Sequence, residues 1–121
     1  MPCLIVVSGP SEGRHYPLGG ATVVIGRGEN CPIQITDDLV SRKHLQIRKQ
    51  GDHYVALDMK SSNGTLINAR DIESECQLED EDEIQIGNSK LIFSTRDFPD
   101  RESAFNYYKE RGHRSKPTIG Q

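Results

Sequence analysis

The sequence has no tryptophan, a low apolar content and no long apolar run. Of its 121 residues, 34% are hydrophobic, which supports one modest core in a single domain of ordinary size. The longest continuous apolar run, Cys3 to Val7, is far shorter than the ~18–20 residues of a membrane-spanning helix. The N-terminus also lacks the basic segment and long apolar segment of a signal peptide. We therefore expect a cytoplasmic protein with no membrane contact.

An excess of positive charge is also absent. The 15 Lys and Arg are outnumbered by 18 Asp and Glu, giving a formal net charge of −3 and a sequence pI of about 5.8. A nucleic-acid-binding domain usually carries a net basic balance, so we expect no nucleic-acid partner. Any anion binding must then come from a local cluster of donors rather than from a global field.

Cysteine is scarce, and its pattern gives no pairing. The three cysteines are Cys3, Cys31 and Cys76, an odd number without a CxxC motif, which disfavours a disulfide scaffold and a zinc site. The four histidines are scattered and show no metal-ligand spacing. We expect free thiols in a reducing compartment, no metal site and no cofactor.

Short apolar runs separated by turn residues fill the chain up to about residue 95. The segment from Leu45 to Arg48 alternates apolar and polar residues, as a half-buried strand does. The Asn63-Gly64 pair is a strong tight-turn signal. The pattern predicts an all-β sandwich of about ten to eleven short strands. The acidic run over residues 78–83 is expected to be a solvated loop.

The composition changes after residue 96. Asp100 is predicted to cap a short helix that ends at Gly112. Residues 113–121 are polar and are expected to be flexible. We therefore divide the chain into a domain, residues 1–96, and a C-terminal tail, residues 97–121. Three residues are expected on one face of the helix: Ala104, Phe105 and Tyr108.

Three motifs at junctions between strands and loops supply short hydrogen-bond donors. Guanidinium, hydroxyl and amide groups suit an oxyanion, and an arginine fork can bind two phosphate oxygens at once. The motifs therefore predict a phosphate-binding site. They are Ile25-Gly26-Arg27, Val40-Ser41-Arg42-Lys43-His44, and Ser61-Ser62-Asn63-Gly64-Thr65 followed by Asn68.

In this order and at these spacings, the motifs resemble the forkhead-associated (FHA) domain, the phosphothreonine-recognising module, over roughly residues 4–95. The resemblance implies an FHA-like β-sandwich that binds phosphothreonine peptides in serine/threonine kinase signalling and has no catalytic activity. The implied partners are a phosphothreonine-containing protein or peptide and a serine/threonine kinase or its substrates. We expect a monomer or weak self-association.

The resemblance also implies roles for individual residues. Arg27, Ser41 and Ser62 would donate to the phosphate, and Arg42 would add a charge or a backbone amide. Asn63 would bind the main chain of the ligand, because an amide both donates and accepts. For Arg42 a solvated side chain and for Asn63 a plain turn residue stay open as simpler interpretations. Four residues would brace the loops: Gly26, His44, Gly64 and Asn68.

Other functions also stay open. One is an interaction or assembly module of the same fold without phosphate dependence. Another is a hydrolase with a Ser41–His44–Asp58 triad, although the glycine context of a nucleophile elbow is missing. A third is self-recognition, in which a phosphorylated Thr118 is bound by another copy of the chain.

Overall fold

The computed structural model describes residues 1–110, which form two packed β-sheets and one helix. The all-β sandwich and the short C-terminal helix predicted from the sequence are confirmed. The strands are β1 (Cys3–Ser8), β2 (His15–Pro17), β3 (Val23–Gly26), β4 (Ile33–Gln34), β5 (Leu45–Gln50), β6 (His53–Asp58), β7 (Thr65–Ile67), β8 (Arg70–Asp71), β9 (Glu75–Gln77), β10 (Asp82–Ile86) and β11 (Ser89–Ser94), and the helix is α1 (Arg101–Glu110).

The strands form a six-stranded and a five-stranded sheet. The six-stranded sheet has the order β2-β1-β11-β10-β7-β8, and the five-stranded sheet has the order β4-β3-β5-β6-β9. Within residues 1–110, β3 and β4 pair in parallel and the other paired strands are antiparallel. Pro17 lies in the edge strand β2, where its missing N–H costs no ladder hydrogen bond.

The apolar run in β1 is continuous because the strand is covered on both faces. Leu4 and Val6 belong to the core between the sheets, whereas Ile5 packs in a second cluster under α1. Burial on both faces removes the alternation expected of a strand with one solvated face. The second cluster, which we call the helix cluster, consists of Cys3, Ile5, Val7, Ile92, Ala104 and Tyr108.

Helix α1 begins with the capping residue that the sequence predicts. The Asp100 carboxylate accepts the backbone N–H of Ser103 at 2.8 Å. The Tyr108 hydroxyl donates to Ser94 Oγ at 2.7 Å, and burial raises the Tyr108 pKa to about 12. Among the described residues, no helix is long and apolar enough to cross a membrane. The predicted end at Gly112, the flexibility of residues 113–121 and the role of Thr118 lie outside the described residues, and the boundary at residue 96 stays a prediction.

The prediction of a wholly solvated acidic loop over residues 78–83 is wrong at both ends of that run. Leu78 is buried, and Asp82 and Glu83 are buried in β10 at 4% and 7% exposure. The Asp82 carboxylate accepts the Asn68 amide and the Glu79 N–H, each at 2.8 Å. These hydrogen bonds replace the ones to water that the carboxylate loses when it is buried.

Candidate functional site

The loops that carry the three motifs leave the five-stranded sheet at one end. Strand register places Ile25 beside Leu45, and Leu45 beside Asp58. The loop after β3, the loop before β5 and the loop after β6 therefore start from neighbouring positions. We call this arrangement the loop end, comprising residues 27–32, 36–44 and 59–64.

Gly26 and Arg27 join the first two loops. The Arg27 N–H donates to Ser41 O at 3.0 Å, and the Gly28 N–H donates to Arg42 O at 3.1 Å. A Cβ on Gly26 would lie 2.0 Å from Arg42 O, so only glycine permits this approach. Arg27 Nε donates to Val40 O at 2.9 Å, which fixes the guanidinium. Its two terminal nitrogens keep their donors for a ligand.

Ser41 and Asn63 join the second loop to the third. The Ser62 N–H donates to Ser41 Oγ at 2.9 Å, and the Asn63 side-chain amide donates to Leu39 O at 3.0 Å. The first bond uses the Ser41 oxygen as an acceptor, so the hydroxyl proton remains to donate elsewhere. Ser62 and Asn63 are exposed, and Ser41 is half-buried. The structure thus brings Arg27, Ser41, Ser62 and Asn63 to one rim.

His44 is completely buried and ties the second loop to the third. Its Nδ1 accepts the Ser41 N–H at 3.0 Å, and its Nε2 lies 2.8 Å from Gly64 O. A ring that accepts at Nδ1 carries its proton on Nε2 and donates it to the Gly64 carbonyl. Neither nitrogen is left to take the Ser41 hydroxyl proton, so the hydrolase triad is not assembled. Gly64 itself has a φ of +81°, a conformation that favours glycine.

Asp58 braces the third loop, a role that the sequence reasoning missed. Its Oδ1 accepts the hydroxyls of Ser61 at 2.6 Å and Thr65 at 2.7 Å, and its Oδ2 accepts the Ser61 N–H at 3.0 Å. Burial alone raises the Asp58 pKa, but these hydrogen bonds and His44 bring it below its ordinary value. The signal in the sequence was weak: Asp is a common turn residue whose side chain bonds nearby backbone N–H groups.

A second carboxylate missed from the sequence, Asp37, anchors the loop before β5. Its Oδ1 accepts the Leu39 N–H at 3.0 Å, and its Oδ2 accepts the Asn88 N–H at 2.8 Å and the Ser89 hydroxyl at 2.7 Å. Burial raises the Asp37 pKa, but the bonds from Leu39, Ser89 and Asn88 outweigh it and hold the pKa below its ordinary value. Asp37 therefore ties this loop to the β10–β11 turn.

Arg42 and Lys43 lie beside Arg27 along a groove. Both side chains are exposed and line a cavity of about 860 Å³ together with Arg27, Glu29 and Cys31. The Arg42 carbonyl also accepts the Cys31 thiol at 3.0 Å. Three cations against one carboxylate make this groove locally positive in a chain of net negative charge.

Asn68 lies away from this rim, at the other end of the short strand β7. It has a left-handed φ of 53° in the β7–β8 turn. Its side chain donates to Asp82 at 2.8 Å and accepts the Glu83 N–H at 3.0 Å. The side-chain hydrogen bonds of Asn68 therefore brace the β7–β8 turn against β10, not the loops that carry Arg27 and Ser41.

Known proteins with similar sequences agree with this architecture. A family model described as the cytoplasmic domain of an inner membrane component of T3SS, itself an FHA domain, matches residues 5–97. The oxoglutarate dehydrogenase inhibitor of Corynebacterium jeikeium is 39% identical over 90 residues, which cover 74% of this chain and 62% of that protein. The glycogen accumulation regulator GarA of Mycolicibacterium smegmatis is 36% identical over 92 residues, covering 76% and 58%. The chain thus spans less than two thirds of either relative.

A solved structure extends the match to a whole domain. That FHA domain, solved in work on phosphothreonine-dependent FHA interactions, is 34% identical and superposes with a TM-score of 0.72. The alignment covers 80% of this chain and 98% of that domain. The shared sandwich and the sequence identity across it lead to one conclusion: this chain belongs to the FHA domain family.

Proposed function

We propose that this protein is a phosphothreonine-dependent peptide-binding module that acts in serine/threonine kinase signalling. The observation that carries the proposal is the meeting of Arg27, Ser41 and Asn63 at one rim, through contacts that leave donors available on each. A phosphothreonine brings about −1.5 to −2 charges and three acceptor oxygens. Arg27 and Ser41 would bind the phosphate with Ser62 and Arg42 beside them, and Asn63 would bind the ligand main chain.

The expected affinity is modest. A hydrogen bond to a charged group contributes roughly 1.5–3 kcal/mol net. Two or three such bonds supply roughly 3–9 kcal/mol, near or short of the ~8 kcal/mol that a micromolar complex requires. Contacts outside the phosphate must therefore supply the rest of the affinity and the sequence preference. The positive groove of Arg27, Arg42 and Lys43 favours acidic residues in the ligand next to the phosphothreonine.

The protein would act by binding rather than by catalysis. Both ring nitrogens of His44 are already occupied by Ser41 N–H and Gly64 O, which supports this part of the proposal. The free thiols Cys3, Cys31 and Cys76 agree with a reducing compartment such as the cytoplasm. The partner would be a protein or peptide phosphorylated by a serine/threonine kinase, with the chain as a monomer or in weak self-association.

The proposal is tested by calorimetry with three peptides of one sequence, carrying phosphothreonine, phosphoserine or unmodified threonine. We expect binding of the phosphothreonine peptide in the micromolar range and no measurable binding of the unmodified peptide. Weaker binding of phosphoserine would show that the threonine methyl is also recognised. Equal affinity for the unmodified peptide would overturn the proposal and favour a phosphate-independent interaction module.

A further inference from the structure

We propose that Asp37 is a positioning residue for the phosphopeptide site, which holds Arg27 and Asn63 in place through one turn anchored to Ser89. The inference rests on the proposed function, because Arg27 and Asn63 are the donors assigned there to the ligand. Asp37 would not touch the ligand. It would act through the backbone of residues 37–40, which we call the Asp37 turn.

The Asp37 turn presents two consecutive carbonyl groups to two different loops. Leu39 O accepts the Asn63 side-chain amide at 3.0 Å, and Val40 O accepts Arg27 Nε at 2.9 Å. A shift of this turn therefore moves the acceptors of both donors together. The positions of the two donors therefore depend on this turn as well as on their own loops.

The shape of the turn depends on the Asp37 side chain. The carboxylate accepts the Leu39 N–H, and the Asp37 carbonyl accepts the Val40 N–H at 2.9 Å. The second bond fixes the peptide unit of the Leu39 carbonyl, which faces Asn63, because that unit includes the Val40 N–H. The Val40 carbonyl, which faces Arg27, follows one residue later, in a unit whose Ser41 N–H is held by His44 Nδ1 at 3.0 Å. The Asp37 side chain is only 3% exposed, so water does not replace its bonds readily.

The anchor of the turn lies in the six-stranded sheet. The other carboxylate oxygen is held by the Asn88 N–H and by the buried Ser89 hydroxyl. Packing is tight here, because a Cβ on Gly87 would lie 2.9 Å from Asp37 Oδ1 and 3.0 Å from Val40 Cγ2. The start of β11 thus sets the position of a turn that supports two loops of the other sheet.

The chain offers a matched pair of variants, Ser89→Ala and Ser94→Ala. Both serines lie in β11, both are 0% exposed, and both make a 2.7 Å side-chain hydrogen bond. Ser89 bonds Asp37, whereas Ser94 bonds Tyr108 at the opposite end of the strand. A general loss of stability affects both variants, and a loss of positioning affects Ser89→Ala alone.

We expect Ser89→Ala to weaken binding of the phosphothreonine peptide by about fivefold or more, a usual size for coupling between sites. Asp37→Asn should weaken it further, because in either amide orientation its NH2 group would face a backbone N–H, that of Leu39 or that of Asn88. Ser94→Ala should bind like wild type at a comparable loss in urea-unfolding stability. Equal affinities of Ser89→Ala and Ser94→Ala would overturn the proposal, whether or not Asp37→Asn folds.

A second measurement needs no ligand. In ¹H–¹⁵N spectra of the free protein, the Arg27 Nε–H signal reports its bond to Val40 O. Ser89→Ala should shift this signal and speed its exchange with solvent, and Ser94→Ala should not. An unchanged signal in Ser89→Ala would refute positioning through the turn. Failure of wild type to bind the phosphopeptide would instead refute the proposed function, so the two failures are distinguishable.

Discussion

The loop end and the helix-covered face are both fastened to β11, but they use the strand differently. At the start of the strand, Ser89 bonds a carboxylate that supports a turn between exposed donors. At its end, Ser94 bonds Tyr108, which is buried in the helix cluster. One strand therefore carries a polar scaffold at one end and an apolar contact at the other.

The difference lies in where each region directs its polar groups. At the loop end, buried Asp37 and His44 and half-buried Asp58 hold the loops, and Arg27 and Asn63 keep unused donors at an exposed rim. In the helix cluster the buried surface is apolar, and its hydroxyl bond lies inside the contact. Changes at the rim should therefore alter binding more than stability, and changes in the helix cluster should do the reverse.

The largest effect is expected for Tyr108→Ala. Truncation of a buried aromatic side chain costs about 3–5 kcal/mol of unfolding free energy, because it removes packing and leaves a cavity. Tyr108 is 1% exposed, so we expect a loss of this size in urea unfolding. The phosphopeptide affinity of the folded fraction should stay unchanged. Tyr108→Phe keeps the ring, and a change in its affinity of more than about threefold would break the comparison.

Arg27→Ala should show the opposite pattern. Loss of one partner of a charge-assisted contact costs about 2–5 kcal/mol of binding free energy. We expect a drop of at least about 30-fold in calorimetric affinity for the phosphothreonine peptide, which is the lower end of that range. The unfolding free energy should change by less than about 0.5 kcal/mol, as for other exposed residues.

The control for this substitution is Arg101→Ala. Arg101 is also exposed but lies at the start of α1, away from the loop end. Its replacement should leave the affinity at the wild-type value. If Arg27→Ala and Arg101→Ala bind equally well, the phosphate is held somewhere else.

The sequence predicts the fold and the rim residues because their signals are local. Motifs such as Gly26-Arg27 and Asn63-Gly64 combine a turn with a donor within a few residues. The convergence of the loops needed the strand register that sets Ile25, Leu45 and Asp58 side by side. From the sequence, that convergence follows from the resemblance to FHA domains together with the count of strands between the loops.

The sequence does not reveal that Asp37 supports the rim, because two partners of its carboxylate are distant in the chain. Asp37 bonds Asn88 and Ser89, which lie 51 and 52 residues away. The burial of Asp82 is missed for the same reason. Its acidic neighbours in the sequence predict an exposed loop, whereas its hydrogen-bond partner Asn68 lies 14 residues away. A charged side chain is thus assigned to the surface unless its partners are known.

The smallest effect is expected from a change of pH, which should affect phosphopeptide binding at the loop end and the stability of the scaffold at different pH values. From pH 7 to pH 5 the dianion fraction of a phosphate with a second pKa of about 6 falls about tenfold. If the dianion is the bound form, affinity falls by about the same factor. The pKa values of Asp37 and Asp58 are lowered, so their share of stability is lost only below about pH 4. Binding at the loop end should therefore weaken before its scaffold does.

Beside the helix, His15 behaves differently in the same pH range. Burial lowers the His15 pKa, although the Asp100 carboxylate opposes this shift. The unfolded chain then takes up the proton first, so stability begins to fall as pH drops through about 6.5. His15→Gln should remove this decline in the urea midpoint between pH 7 and pH 5 while leaving the affinity change intact. If the substitution instead flattens the pH dependence of the affinity, the two regions are coupled, because His15 lies in β2 with its ring against Phe98, outside the loops that form the rim.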